Sequence, residues 1–219
     1  EMLSKLVEVA DEAEDTLIVY YAGHGVPGST NLYLTGTDSS ERTIEFDGMP
    51  FDRLRRALNT SPARKKVLIL DCCYSGRALD IMGSADAMLQ AGIEDLEGTF
   101  TLASSGATEA SAAPAGARCT AFTGELLRVL HEGIVDAPQT LKLNEIFRAL
   151  RLALRRNPKF PEPRQAAKGT AGDIDFVHNR AWRPEAAAPE ATRGDATAAG
   201  ATPDWQKELS ARIEQQSRL

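Results

Sequence analysis

Apolar and polar positions along this chain alternate between two kinds of pattern. From Val67 to Leu70 the apolar residues run without interruption, directly after Arg64, Lys65 and Lys66. That is the pattern of a strand buried on both faces. Leu17 to Tyr21 is a second such run, and Phe100 to Ala103 reads as a third. Between them the spacing becomes helical. Leu3, Leu6, Val7 and Ala10 make one stripe, and Phe51, Leu54 and Leu58 make another in a short helix expected to open at Met49-Pro50. Arg53, Arg55 and Arg56 form that helix's solvated face. Phe122, Leu126, Leu127 and Leu130 line a helix over Ala121 to His131, and Ile146, Phe147, Leu150 and Leu154 line one over Leu143 to Arg155. An irregular pair of short strands is expected around Asn31 to Leu34, and a last strand at Gly172 to Val177. Buried strands interleaved with amphipathic helices predict an α/β fold, a mostly parallel sheet flanked by helices.

Three stretches break the pattern. Arg77 to Glu97 has no clear stripe, and Glu109 to Arg118 is small and Ala-rich. Trp182 to Pro203 is Ala, Pro, Gly and Thr, too poor in large apolar residues to fold alone. The expected organisation is a domain over residues 1–180, an Ala/Pro-rich linker over 181–204, and a short helical segment or the start of a further domain over 205–219. The apolar set of that last segment, Trp205, Leu209 and Ile213, is thin. Glu1 stands in mid-element.

Composition narrows the class. A hydrophobic content of 42% over 219 residues suffices for a sizeable core. No apolar stretch approaches the ~20 residues of a membrane span, so no membrane partner is expected. A net charge of −6 argues against a general nucleic-acid surface. Three cysteines, two of them adjacent, do not make a disulfide framework, which points to a reducing cytoplasm. His and Cys lack the spacing of a zinc site.

The chemistry gathers at two strand ends. Val67 to Leu70 leads into Asp71-Cys72-Cys73-Tyr74-Ser75-Gly76, and Leu17 to Tyr21 leads into Ala22-Gly23-His24-Gly25. In a parallel sheet the carboxyl ends of the strands form the rim where ligands bind. If these two strands adjoin, a His and a Cys reach the same rim, the minimum for a thiol hydrolase. Successive residues of a strand point to opposite faces, so only one of Cys72 and Cys73 can face the cleft. Asp71, two positions before Cys73, shares its face.

Tyr-Ala-Gly-His-Gly followed by Asp-Cys-Cys-Tyr-Ser-Gly resembles the caspase-like cysteine proteases, in particular the metacaspase branch, which reads Tyr-Ser-Gly-His-Gly and Asp-Ser-Cys-x-Ser-Gly at these places. A His about 50 residues upstream of the Cys is a spacing by which caspases are recognised. The resemblance extends over about residues 1–180. It implies Cys73 as the nucleophile, His24 as the acid–base partner, and the backbone N–H groups of Gly25 and Cys73 as oxyanion donors. Cys72 stands where metacaspases have Ser and is expected to be buried. The resemblance further implies that Asp71 lines the pocket for the residue before the scissile bond and selects Arg or Lys, with protein substrates as partners. Ala22 departs from the family's frequent Ser.

Activation by self-cleavage is also implied. The basic residues between Cys73 and Thr123 are Arg77 and Arg118, which makes them the candidate sites, Arg77 first because it opens the long loop beyond the nucleophile. No cofactor is expected. Calcium, required by many metacaspases, is the alternative, but Asp38 and Asp47 are isolated where the family pairs its aspartates. In the family a strand and helix precede the residue matching Glu1, so an upstream segment is expected to pack beside Leu17 to Tyr21 and supply the first strand. A bacterial stress, death or antiphage pathway follows by analogy. The competing readings are an inactive caspase-fold interaction module, another α/β thiol hydrolase, and a caspase-like protease with acidic preference.

Overall fold

The computed structural model describes residues 2–27, 32–40, 42–72, 99–105, 116–167, 169–184 and 204–216. The central sheet has four strands in the order β1 (Thr16–Gly23), β5 (Lys65–Cys72), β6 (Thr99–Ala103) and β8 (Arg164–Ala167). The first three run parallel, and β8 runs antiparallel to β6. A small antiparallel sheet of β2 (Gly25–Pro27), β3 (Leu32–Leu34) and β4 (Met49–Pro50) follows β1. A two-stranded ribbon pairs β7 (Thr140–Lys142) with β9 (Asp175–His178).

The alternation along β5 divides the core. Val67 and Ile69, with Phe100 and Leu102 of β6, pack against α4 (Ala121–Glu132) and α5 (Leu143–Leu154). Leu68, Leu70 and Cys72 point the other way, into a layer holding Leu17, Leu32, Leu34 and the apolar sides of α1 (Met2–Glu12) and α3 (Phe51–Thr60), with the one-turn α2 (Ile44–Asp47) between these two in sequence. Burial on both faces explains the unbroken apolar run. Among the described residues β1 has a strand on one side only. A groove of about 780 Å³ is lined in part by Leu3, Leu6, Val19, Leu34 and Leu54.

Several expectations are corrected. Met49-Pro50 does not open a helix. It pairs with Tyr33 and Leu34 as β4, and helix α3 starts at Phe51, because Pro50 takes an extended ψ of 132°. Arg55 is not simply solvated: its side chain is largely covered and bonds Asp52 one turn back, at 3.3 Å. Val7 lies outside the apolar stripe and is exposed. The strand expected at Gly172 to Val177 begins only at Asp175, after a 3-10 turn, and belongs to the ribbon and not to the main sheet. The sheet edge is taken by β8, Arg-Gln-Ala-Ala, which carries no apolar alternation because it is only half-buried. Arg77 to Glu97 lies outside the described residues, as does most of Glu109 to Arg118.

Helix α6 (Asp204–Gln216) lies against α4 with Ile213 fully buried. Gln206 is buried between them, donating to the Leu130 carbonyl (3.3 Å) and accepting from the His178 N–H (3.2 Å). Asn179 ties the end of β9 to the turn after α4, accepting from the Ile134 N–H at 2.9 Å and donating to carbonyls of Ile134, Ala137 and Pro138. Gly133 ends α4 at φ 82° under that Asn, and a Cβ there would lie 2.3 Å from its Oδ1. No helix among the described residues is long and apolar enough to cross a membrane.

Candidate active site

Strands β1 and β5 are neighbours, and they end level. Their pairing runs from Thr16 with Lys65 to Ala22 with Asp71 and Gly23 with Cys72. His24 is the next residue after β1, and Cys73 is the next in sequence after β5. His24 is exposed at the carboxyl end of the sheet. Cys73 and Arg77 lie outside the described residues. Cys72 is fully buried in the layer under α1 and α3, so its thiol turns away from the α4 side of the sheet.

Asp71 alternates to the opposite face, the one shared with Val67 and Ile69, and is 2% exposed. Its Oδ2 accepts short hydrogen bonds from the Thr120 and Thr123 hydroxyls. Thr120 is also the N-cap of α4, its Oγ1 accepting from the Thr123 N–H at 3.0 Å. One side chain therefore starts the helix and holds the carboxylate. The Thr123 proton is committed to Asp71, so in the contact between Tyr20 Oη and Thr123 Oγ1 (2.9 Å) the tyrosine donates. Ser104, at the end of β6, directs its hydroxyl to the Cys72 carbonyl at 3.3 Å. The second carboxylate oxygen, Oδ1, is buried with no hydrogen bond among the described residues. Burial pushes the Asp71 carboxyl above its ordinary range, while the Thr120, Thr123 and Ser104 hydroxyls oppose that shift.

The His24 backbone is held as firmly as Asp71. Its carbonyl oxygen accepts from the Thr35 N–H (3.1 Å) and from the Tyr21 phenol (2.9 Å). Gly25, the candidate oxyanion donor, is buried and begins β2. Arg118 is exposed in the turn before α4, two residues ahead of Thr120. In the acidic loop, Asp47 Oδ2 accepts from the Ser40 N–H (3.2 Å) and the Thr43 hydroxyl (2.6 Å). Among the described residues no three His, Cys, Asp or Glu side chains are grouped to hold a metal. His131, in the last turn of α4, bonds Glu214 of α6 at 3.0 Å.

Sequence reasoning missed the hydroxyls around Asp71 and the phenol behind His24. Thr120 before an amphipathic run is a readable N-cap signal, but nothing local says that the cap lies over a strand end far away in sequence. Tyr21 read simply as an apolar strand residue.

The arrangement is a parallel-sheet rim with an exposed imidazole just past the end of β1, a cysteine next in sequence after the end of β5, and a buried carboxylate in the last two residues of β5. The family model of the caspase domain matches residues 1–171. No curated protein matches the chain. With the family model extending over more than three quarters of its length and the mostly parallel sheet beneath the His motif, this chain belongs to the caspase domain family and is a cysteine-type peptidase.

Proposed function

We propose that the enzyme is a metacaspase-type endopeptidase that cleaves protein chains after Arg or Lys with a His24–Cys73 dyad. The observation that carries the specificity is Asp71: a buried carboxylate with one oxygen fixed by two threonines and the other unpartnered among the described residues. A buried carboxylate left half-satisfied is costly, and a guanidinium or ammonium supplies the missing donors.

In this reading the Cys73 thiolate attacks the scissile carbonyl carbon, forming a C–S bond as the carbonyl π pair moves to oxygen. The N–H groups of Gly25 and Cys73 receive that charge. Collapse breaks the C–N bond, and the His24 imidazolium protonates the leaving amine. Water, deprotonated by His24, then hydrolyses the thioester and releases the thiol. No third catalytic group is invoked. Self-processing after Arg77 or Arg118 precedes full activity, and Arg118 is exposed. A cytoplasmic stress, death or antiphage role is the setting that the family analogy suggests.

Paired fluorogenic peptides ending in Arg or Asp, with and without calcium, test this reading. Turnover of the Arg peptide alone is expected, together with labelling by an arginyl chloromethylketone. Labelling should vanish in Cys73→Ala and survive in Cys72→Ala, where the loss of a buried thiol costs about 1 kcal/mol of stability. Turnover of the Asp peptide instead, or self-cleavage products ending only after Asp80, Asp86 or Asp95, would establish the acidic preference. No labelling at all would leave the interaction-module reading.

A further inference from the structure

We propose that Tyr21 is a positioning residue that sets the His24–Gly25 peptide plane, and with it the Gly25 N–H of the oxyanion hole. The inference rests on the reading of His24 and Gly25 as members of the catalytic site.

Tyr21 is the last of three residues, after Leu17 and Val19, that β1 sends into the layer under α1 and α3. Its hydroxyl passes beyond the strand end, lying 2.9 Å from the His24 carbonyl oxygen and 3.0 Å from that of Thr35. The Thr35 N–H reaches the same His24 oxygen at 3.1 Å. The His24 carbonyl therefore has two donors, the Tyr21 phenol of β1, whose one proton it shares with the Thr35 carbonyl, and the N–H of Thr35, the residue just past β3. A trans peptide is planar, with its C=O and N–H pointing in opposite directions, and no cis peptide occurs among the described residues. Anchoring the His24 C=O on one side thus aims the Gly25 N–H to the other. The same anchor fixes the backbone from which the imidazole departs.

Gly23 supports the assignment independently. A Cβ at that position would lie 2.6 Å from Tyr21 Oη and 2.9 Å from its Cζ, closer than side chains pack. The phenol occupies the space a side chain at residue 23 would need. The glycine before His24 is accounted for by this phenol, whatever else it does for substrate. Burial pushes the Tyr21 phenol up to about 12, so it stays a donor throughout the working range of a thiol protease.

An N–H that stabilises only the developing oxyanion acts on the transition state and not on substrate binding. Tyr21→Phe keeps the ring and removes the donor. We expect kcat for an Arg peptide to fall about tenfold to a hundredfold with KM unchanged, in line with the cost of displacing a catalytic group by a fraction of an ångström. Affinity for a peptidyl arginal, whose hemithioacetal oxygen occupies the oxyanion hole, should fall by the same factor. Gly23→Ala, which displaces the phenol, should reproduce both effects and stand in if Tyr21→Phe does not fold. The double variant should lose no more than either single one. A Tyr21→Phe enzyme with a lower Tm but wild-type kcat and arginal affinity overturns the proposal. His24→Ala separates the two levels: an active His24→Ala enzyme overturns the underlying reading of the site, whereas an inactive one beside an unaltered Tyr21→Phe overturns only the role of Tyr21.

Discussion

Asp71, the proposed pocket carboxylate, is the residue at which stability and function are set against each other. Its carboxyl is raised above its ordinary value of 3.8 by burial. Between that value and the raised one, the folded state keeps a proton that the unfolded chain has already lost, so stability falls as pH rises through this window. Asp71→Asn removes the charge while leaving a carbonyl for the Thr120 and Thr123 hydroxyls. Its Tm relative to the parent should therefore climb from pH 4 to pH 7, and calorimetry showing the gap shrink with pH would contradict the burial argument. In the same protein, cleavage after Arg should lose roughly 2–5 kcal/mol of transition-state binding, the range for removing one partner of a buried charge pair. That is about 30- to 4000-fold in kcat/KM at 1.4 kcal/mol per tenfold.

At the scale of elements, α4 links Asp71, the proposed pocket carboxylate, to the proposed processing turn. Its N-cap Thr120 both satisfies the Thr123 N–H and donates to Asp71, and exposed Arg118 stands two residues before it. Thr120→Val deletes the cap, at about 1 kcal/mol, and releases one of the two hydroxyls on Asp71. KM for Arg peptides should rise several-fold, while Thr120→Ser, which keeps the hydroxyl, should restore both stability and KM. If the valine variant loses stability with no change in KM, the cap is purely structural. Mass spectrometry of the purified enzyme should show a new N-terminus at Cys119 if the turn is processed, placing the cut beside the residue that braces the pocket floor.

For the molecule as a whole, α6 is the outlying piece. It covers α4 near Leu130 and β9 near His178, with Ile213 buried, and Trp205 rests on Phe176 with ring centroids 5.8 Å apart. These contacts lie toward the carboxyl end of α4, whereas Thr120 and Thr123 hold Asp71 at its amino end. Ile213→Ala should therefore lower the Tm by the equivalent of about 2–4 kcal/mol, the usual cost of a buried isoleucine truncated to Ala. The kcat on an Arg peptide should not move. A fall in kcat at a temperature where the variant is still folded would mean that α6 reports to the site through α4.

Read alone, the sequence determined the elements that carry long periodic signals. The run at Val67 is a strand because residues buried on both faces must all be apolar, the half-buried run at Leu17 is one because its alternate residues meet the same two layers, and the stripes at Phe51, Phe122 and Ile146 are helices because only one side of each meets the core. It also singled out His24, Asp71 and the adjacent cysteines, since chemistry-bearing residues at the ends of buried strands have little other reason to be there. Tertiary structure decided what depends on partners distant in the chain. The polar edge strand β8 exists because β6 offers it a ladder, and Met49-Pro50 pairs with β3 before the helix can begin. Thr123 reaches Asp71 across 52 positions, and the Tyr21 phenol finds Thr35 across 14. Hydrogen bonds between side chains leave no periodicity behind. Only the folded backbone, which brings those groups within 3 Å or so of each other, turns two strand ends into a site.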